Sequence, residues 1–199
     1  MIYAIIGFGA VGQALAKAFA RKGIAVSVAT TRDPQSFAAA AAAIGPTIVP
    51  KTLAEAVKAD IIFLAVRFEA HPDVAKALPN WTGKTIIDAM NTLAPVEALD
   101  GLPSSAFVAK AFPGAKLVKG FNHLGAATLA TDPVVKGGHR VVFLASDDAD
   151  AIAPVADLAK DLGFGPVALG RLDEGGLLVH AVGGAWGPLI FKDLFKAEP

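Results

Sequence analysis

Gly7-Phe8-Gly9-Ala10-Val11-Gly12 sets three glycines at the spacing G-x-G-x-x-G close to the start of the chain. Each glycine answers a different physical demand. Gly7 permits a tight turn, Gly9 lets a diphosphate approach the backbone, and Gly12 lets the next helix lie close on its sheet. The helix that follows offers free N–H groups and the positive end of its dipole to that diphosphate. The string alone is a weak signal. Its context gives it weight, because it directly follows the apolar run Ile2–Ile6 and opens a helical pattern, Ala10–Arg21, that ends near Gly23. The implied ligand is a dinucleotide, with Gly7, Phe8, Gly9, Ala10, Val11 and Gly12 as its phosphate loop.

The end of the second strand decides which dinucleotide fits. Dinucleotides without a 2′-phosphate usually meet a carboxylate there. This chain instead has Thr30-Thr31-Arg32 after the apolar run Ile24–Thr30. Hydroxyls followed by a guanidinium suit a 2′-phosphate, because arginine supplies a planar fork of donors and a permanent charge. Thr30, Thr31 and Arg32 therefore point to NADP(H). Asp33, one residue later, reads as a helix N-cap with Pro34 at the first helical position; turned inward it would instead disfavour the extra phosphate and leave NAD(H) as the alternative.

Other chemistries lack their residues. The single tyrosine, Tyr3, lies in the first strand, so a Tyr/Lys proton relay is absent. There is no cysteine, and the four histidines, His71, His123, His139 and His180, are scattered without metal-ligand spacing. No metal site is expected. No obvious general acid for carbonyl reduction is present, which points to an acceptor that takes hydride directly. With 18 basic and 18 acidic side chains the net charge is zero, so no nucleic-acid partner is expected. The N-terminus reads as no signal peptide. The weakly polar run Gly175–Phe191 is broken by His180, Pro188 and glycines, and reads as a packed helix rather than a span of roughly 20 apolar residues. A cytoplasmic protein without a membrane partner is the expectation.

The elements that must hold these residues alternate. Hydrophobic residues make up 54% of the 199-residue chain, enough for a large core. After the second strand, an alanine-rich helix runs to Ala43 and Thr47–Val49 forms a strand. Thr52-Leu53-Ala54-Glu55 is a capping box. Ile61–Val66 is a continuous apolar run, as in a strand buried on both faces. A helix around Asp73–Leu78, strands at Thr85–Asp88, Leu117–Phe121 and Arg140–Ala145, a helix over Ala149–Leu162 and a strand at Pro166–Leu169 complete the pattern. The expectation is one α/β dinucleotide-binding domain over residues 1–199. Its Rossmann-type doubly wound, mostly parallel sheet spans about 1–170, and a short glycine-rich apolar extension spans about 171–199.

The sequence resembles the coenzyme F420-dependent NADP oxidoreductases, whose relatives include the cytosolic domains of the STEAP metalloreductases. The resemblance rests on Gly7–Gly12 and on Thr31-Arg32 where the family has Ser-Arg. It rests also on Lys119-Gly120-Phe121-Asn122, close to a Lys-Ala-Phe-Asn segment, and on Ile87-Asp88-Ala89-Met90-Asn91. It departs at Asp33-Pro34, where archaeal members carry more basic residues, and at Arg67-Phe68, where a Pro-aromatic pair is common. It implies hydride exchange between NADPH and a flat flavin or deazaflavin (F420-type) ring, in which positioning dominates.

Several further residues become candidates. Ala65, Val66 and Arg67 end the fourth strand at its carboxyl edge, where ligands bind in such sheets. Their backbone is expected near the ribose or nicotinamide, while the Arg67 side chain is solvated or meets an anion. Asn91 is placed to bond the nicotinamide carboxamide, or is an ordinary turn residue. By resemblance Asn122 lies by the nicotinamide and His123 near the acceptor. An ordinary histidine pKa near 6.5 would make His123 a catalytic proton donor; the alternative is a structural or solvated ring. Trp186 is a candidate wall of the acceptor pocket or a packing residue of a homodimer. Two other functions stay open. One is a small imine or hydroxyacid reductase, whose families add a long helical domain for which the tail is too short. The other is a non-enzymatic NADP(H)-sensing module.

Overall fold

A computed structural model describes residues 1–181 of the chain. Its first strand, β1 (Tyr3–Ile6), runs into helix α1 (Ala10–Arg21), and Gly23 at φ +65° ends that helix. Then follow β2 (Val26–Ala29), α2 (Gln35–Ile44), β3 (Ile48–Pro50), α3 (Leu53–Ala56) and β4 (Ile61–Leu64). The capping box that opens α3 is complete, because Thr52 accepts from the Glu55 N–H and Glu55 accepts from the Thr52 N–H. Asp33 Oδ1 accepts from the Gln35 N–H at 2.8 Å and Pro34 is already helical, so the Asp-Pro start of α2 forms as its residues dictate.

The second half continues with a 3-10 turn (Phe68–Ala70), α4 (His71–Ala75), β5 (Thr85–Asp88), a 3-10 turn (Val96–Leu99), α5 (Ser104–Ala111) and β6 (Lys116–Gly120). It ends with α6 (Ala126–Leu129), a small hairpin of β7 (Val134–Val135) and β8 (Gly138–His139), β9 (Val141–Ala145), α7 (Ala149–Asp161), β10 (Gly165–Ala168) and α8 (Gly175–Leu178).

The main sheet has eight strands in the order β3-β2-β1-β4-β5-β6-β9-β10. The first six are parallel, with the two-way winding of a Rossmann fold about the β1/β4 boundary. β9 joins β6 antiparallel and β10 joins β9 parallel. The fold is therefore the expected doubly wound, mostly parallel α/β sheet.

Strand residues feed two cores by simple alternation. Ile5, Ile61 and Phe63 pack with Leu15 and Phe19 of α1 and Leu158 of α7 on one face. Ala4, Ile6, Ile62 and Leu64 pack with Val74, Val108, Trp81 and Phe112 on the other. Both faces are covered, which is why these strands read as unbroken apolar runs.

The boundaries differ from expectation in instructive places. The helix expected over Asp73–Leu78 starts earlier, at His71, because Pro72 fits its first turn and a 3-10 turn leads into it. The two 3-10 turns, α5, α6 and the β7/β8 hairpin are unforeseen by the pattern. Among the described residues no helix is long and apolar enough to cross a membrane.

Candidate functional site

The carboxyl end of β1 meets the amino end of α1 at the three glycines. Gly7 has φ +106°, and a Cβ there would lie 2.3 Å from the Ala65 carbonyl oxygen. The Gly7 N–H donates to the Ala29 carbonyl at 2.8 Å, so the turn is tied to β2 as well. A Cβ on Gly12 would lie 2.0 Å from the Gly7 carbonyl oxygen. Those two glycines are thus required by the fold itself. Gly9 is different, because a Cβ there would meet nothing within 4 Å. Its lack of a side chain serves open space in front of the loop. α1 has no side-chain cap and no acidic residue in its first turn, so its leading N–H groups face that space without a competing anion.

The space is a cleft of about 440 Å³ lined by Gly7, Phe8 and Gly9, by Thr30, Thr31 and Arg32, and by Ala65, Val66 and Arg67. That volume lies within the range of small-molecule sites, roughly 300–1,000 Å³. Leu53, Ala70 and Val74 add apolar wall and Asp73 a carboxylate. Asp73 is engaged by Lys76 at 2.7 Å, and that ammonium holds its pKa below the ordinary carboxylate value. Thr30 Oγ1 accepts from the Arg32 N–H at 3.0 Å and fixes the turn. The Arg32 guanidinium lies 5.9 Å from the centre of the buried Phe37 ring, which in turn packs on Phe8 at 5.6 Å. Arg32 and Arg67 are both exposed on the cleft, and neither forms an ion pair with a described residue. The donor set fits a dinucleotide carrying an additional phosphate.

A second group of residues gathers at the carboxyl ends of β5 and β6. Asn91 Nδ2 donates to the Asn122 carbonyl at 2.8 Å, and Asn122 Nδ2 donates to Asn91 Oδ1 at 3.0 Å and to the Val179 carbonyl at 2.9 Å. Among the described residues Asn122 Oδ1 is buried without a hydrogen-bond partner. His123 Nε2 lies 3.2 Å from the Val141 carbonyl, and its ring packs on Phe143. Burial lowers the His123 pKa to about 4, only partly offset by the Val141 carbonyl. The ring is therefore neutral near pH 7. With Nε2–H donating to Val141, Nδ1 is a buried acceptor without a partner among the described residues. This replaces the proton-donor role expected from an ordinary histidine pKa.

The sequence-derived candidates thus fall into two clusters. One surrounds the β1, β2 and β4 ends and the other the β5 and β6 ends. Ala10 and Val11 open α1 and Gly12 lies directly behind them. Trp186 lies outside the described residues, as does most of the apolar tail from which a homodimer was inferred. His71 and His139 are structural, bonded to the Phe68 and Gly163 carbonyls. Among the described residues no cluster of histidine and acidic side chains can hold a metal ion. Sequence reasoning missed the cleft walls Leu53, Ala70 and Val74, and the buried pair Asp88–Lys119. The signal for that pair was available, since Asp88 directly follows the apolar Ile86-Ile87 and Lys119 the apolar Leu117-Val118.

Comparison with known proteins places this geometry. The profile of the family described as NADP oxidoreductase, coenzyme F420-dependent, matches residues 2–92. Rat metalloreductase STEAP3 is 28% identical over 170 residues, which is 84% of this chain and 33% of the rat protein. Mouse metalloreductase STEAP2 is 33% identical over 119 residues, covering 59% of this chain and 23% of the mouse protein. The chain spans about a quarter to a third of the length of these curated relatives. A hypothetical protein, SMa0349, of Sinorhizobium meliloti superposes with a TM-score of 0.89 at 37% identity, covering 99% of this chain and 96% of that one. A candidate F420-dependent NADP-reductase of Arthrobacter sp. FB24 superposes with a TM-score of 0.68 at 27% identity, covering 86% of each chain. A reductive aminase of Aspergillus terreus shares the fold, with a TM-score of 0.64 at 20% identity over 87% of this chain and 56% of that one.

Proposed function

The chain belongs, through residues 2–92, to the coenzyme F420-dependent NADP oxidoreductase family, and from that premise we propose that it is an NADPH-dependent reductase passing a hydride to a flavin or deazaflavin ring. The observation that carries the nucleotide part is Gly9. Its missing side chain leaves open space in front of unpaired helix N–H groups, and an exposed arginine stands on the same cleft.

The division of labour follows from the two clusters. The loop Gly7–Gly12 binds the diphosphate through backbone donors. Thr31 and Arg32 grip the 2′-phosphate, with Phe37 orienting the guanidinium. The backbone of Ala65–Arg67 supports the ribose on the nicotinamide side, at the point where the strand order reverses. NADPH, when bound, supplies the hydride. Asn91 and Asn122 orient its carboxamide end, with Asn122 Oδ1 as the acceptor. His123, neutral and with no partner at Nδ1 among the described residues, faces the acceptor as a hydrogen-bond acceptor, suited to an N–H such as that of a flavin's pyrimidine edge. No acid–base pair is required of these residues, because the nucleotide would supply the hydride and their part would be to position it.

The reading is tested by following NADPH absorbance with riboflavin, flavin mononucleotide, flavin adenine dinucleotide and a deazaflavin as acceptors, beside imines and 3-hydroxy acids. Rapid oxidation with one of the flat rings is expected. Turnover with imines or hydroxy acids alone, or with no acceptor at all, would replace it.

A further inference from the structure

Asp88 and Lys119 are register partners on β5 and β6, and their side chains are 0% and 4% exposed. Ile86, Ile87, Leu117 and Val118 precede them and pack in the core. An apolar pair at these positions would serve stability as well or better, because burying two charges forfeits their hydration. The bonds they make indicate another use. Lys119 Nζ donates to Asp88 Oδ2 at 3.2 Å and to the Met90 carbonyl at 2.5 Å. Asp88 Oδ1 accepts from the Met90 N–H at 3.0 Å. Both polar backbone groups of Met90 are therefore held by this one pair. Ser105, reaching over from α5, donates to Asp88 Oδ2 at 2.7 Å and fixes the carboxylate.

The next residue is Asn91, whose side chain is doubly bonded to Asn122. Asn122 uses its Nδ2 on two acceptors, Asn91 Oδ1 and the Val179 carbonyl, which sets the orientation of the amide and leaves Oδ1 buried and without a donor among the described residues. Phe121, just before it, has φ +63°, a conformation kept by its ring packing between Phe63 at 5.3 Å and Phe164 at 5.7 Å. An acceptor held buried without a donor is costly until a donor arrives. A carboxamide NH₂ over the carboxyl ends of β5 and β6 is such a donor.

We propose that Asp88, Lys119 and Ser105 are positioning residues: a buried clamp on Met90 that sets the Asn91–Asn122 pair, so that Asn122 Oδ1 meets the nicotinamide carboxamide. This rests on the reading of the cleft as an NADP(H) site, and the test separates the two. NADPH and adenosine 2′,5′-bisphosphate, which lacks the nicotinamide half, are titrated calorimetrically against the unaltered protein and against the near-isosteric double variant Asp88→Asn/Lys119→Met. NADPH should weaken at least tenfold in the double variant while the bisphosphate changes less than twofold. Ser105→Ala, which leaves both charges in place, should weaken NADPH about threefold with the bisphosphate again unchanged, and it carries the test if the double variant does not fold. Equal weakening of both ligands, or no change in either, would overturn the clamp. So would an unaltered protein that binds NADPH no tighter than the bisphosphate. Failure of the unaltered protein to bind the bisphosphate would overturn the cleft reading and this inference with it.

Discussion

Gly9→Ala separates a glycine kept for a ligand from one kept for the fold. At Gly9 the backbone has φ −79°, open to any residue, and the added methyl meets no protein atom within 4 Å. Losing glycine at the N-cap costs a few tenths to about 1 kcal/mol. Restricting the unfolded chain returns about 0.4–1 kcal/mol. The two nearly cancel, so stability should change by less than about 1 kcal/mol, which is less than about 4 °C in Tm for a chain of this size. Binding should suffer, because the methyl points into the space where a diphosphate must touch the loop. Losing one charge-assisted hydrogen bond costs about 1.5–3 kcal/mol, or roughly 10- to 150-fold in Kd. The assay pairs thermal unfolding without ligand with calorimetric titration of NADPH. An unaltered Kd in Gly9→Ala would refute the claim that the diphosphate lies against this backbone.

Gly12→Ala should behave in the opposite way, because its Cβ would lie 2.0 Å from the Gly7 carbonyl. The helix must lift from the sheet, at a cost of about 2–4 kcal/mol and about 10 °C in Tm before any ligand is added, read by the same thermal scan. Lys119→Met alone leaves Asp88 buried without its cation, and should cost about 3–5 kcal/mol in denaturant unfolding. The neutral pair Asp88→Asn/Lys119→Met should recover much of that loss. His123 titrates at about 4 in the folded protein and near 6.5 when unfolded. A folded pKa below the unfolded one means that the unfolded chain binds more protons between those values. Its contribution is complete above pH 6.5 and is lost as pH falls toward 4, by up to about 3 kcal/mol. Tm measured between pH 7.5 and 4 should fall less steeply in His123→Gln, and identical slopes would contradict the burial assigned to that ring.

The first half of the fold was legible because its signals are local. Caps at Thr52 and Asp33, glycine at 23 and apolar runs such as 61–64 each determine their own element. The second half was less so. α5 starts at two serines, spans eight residues and is bounded by Pro103 and Pro113, so it shows less than two full apolar repeats. Strand direction has no period of its own, and β9 docks antiparallel on β6 after the connection through α6 and the β7/β8 hairpin. The glycine turn and the place of Thr31-Arg32 on the same cleft were readable because a strand-to-helix turn constrains residue type at fixed spacing. The apolar cleft wall was not, since Leu53, Ala70 and Val74 look like ordinary core until tertiary packing brings them to the mouth of the sheet. His123 shows the same limit from the other side. Its residue type implied a proton donor, and only its burial, with the ring against Phe143, keeps it neutral near pH 7.

Comparative titration of NADPH and NADH against the unaltered protein and against Thr31→Ala/Arg32→Ala bears most directly on the central claim. The account predicts that the unaltered protein prefers NADPH by tenfold or more, and that the double variant loses most of this preference while its affinity for NADH changes little. Equal losses for both nucleotides, or no association of either at millimolar concentration, would contradict it.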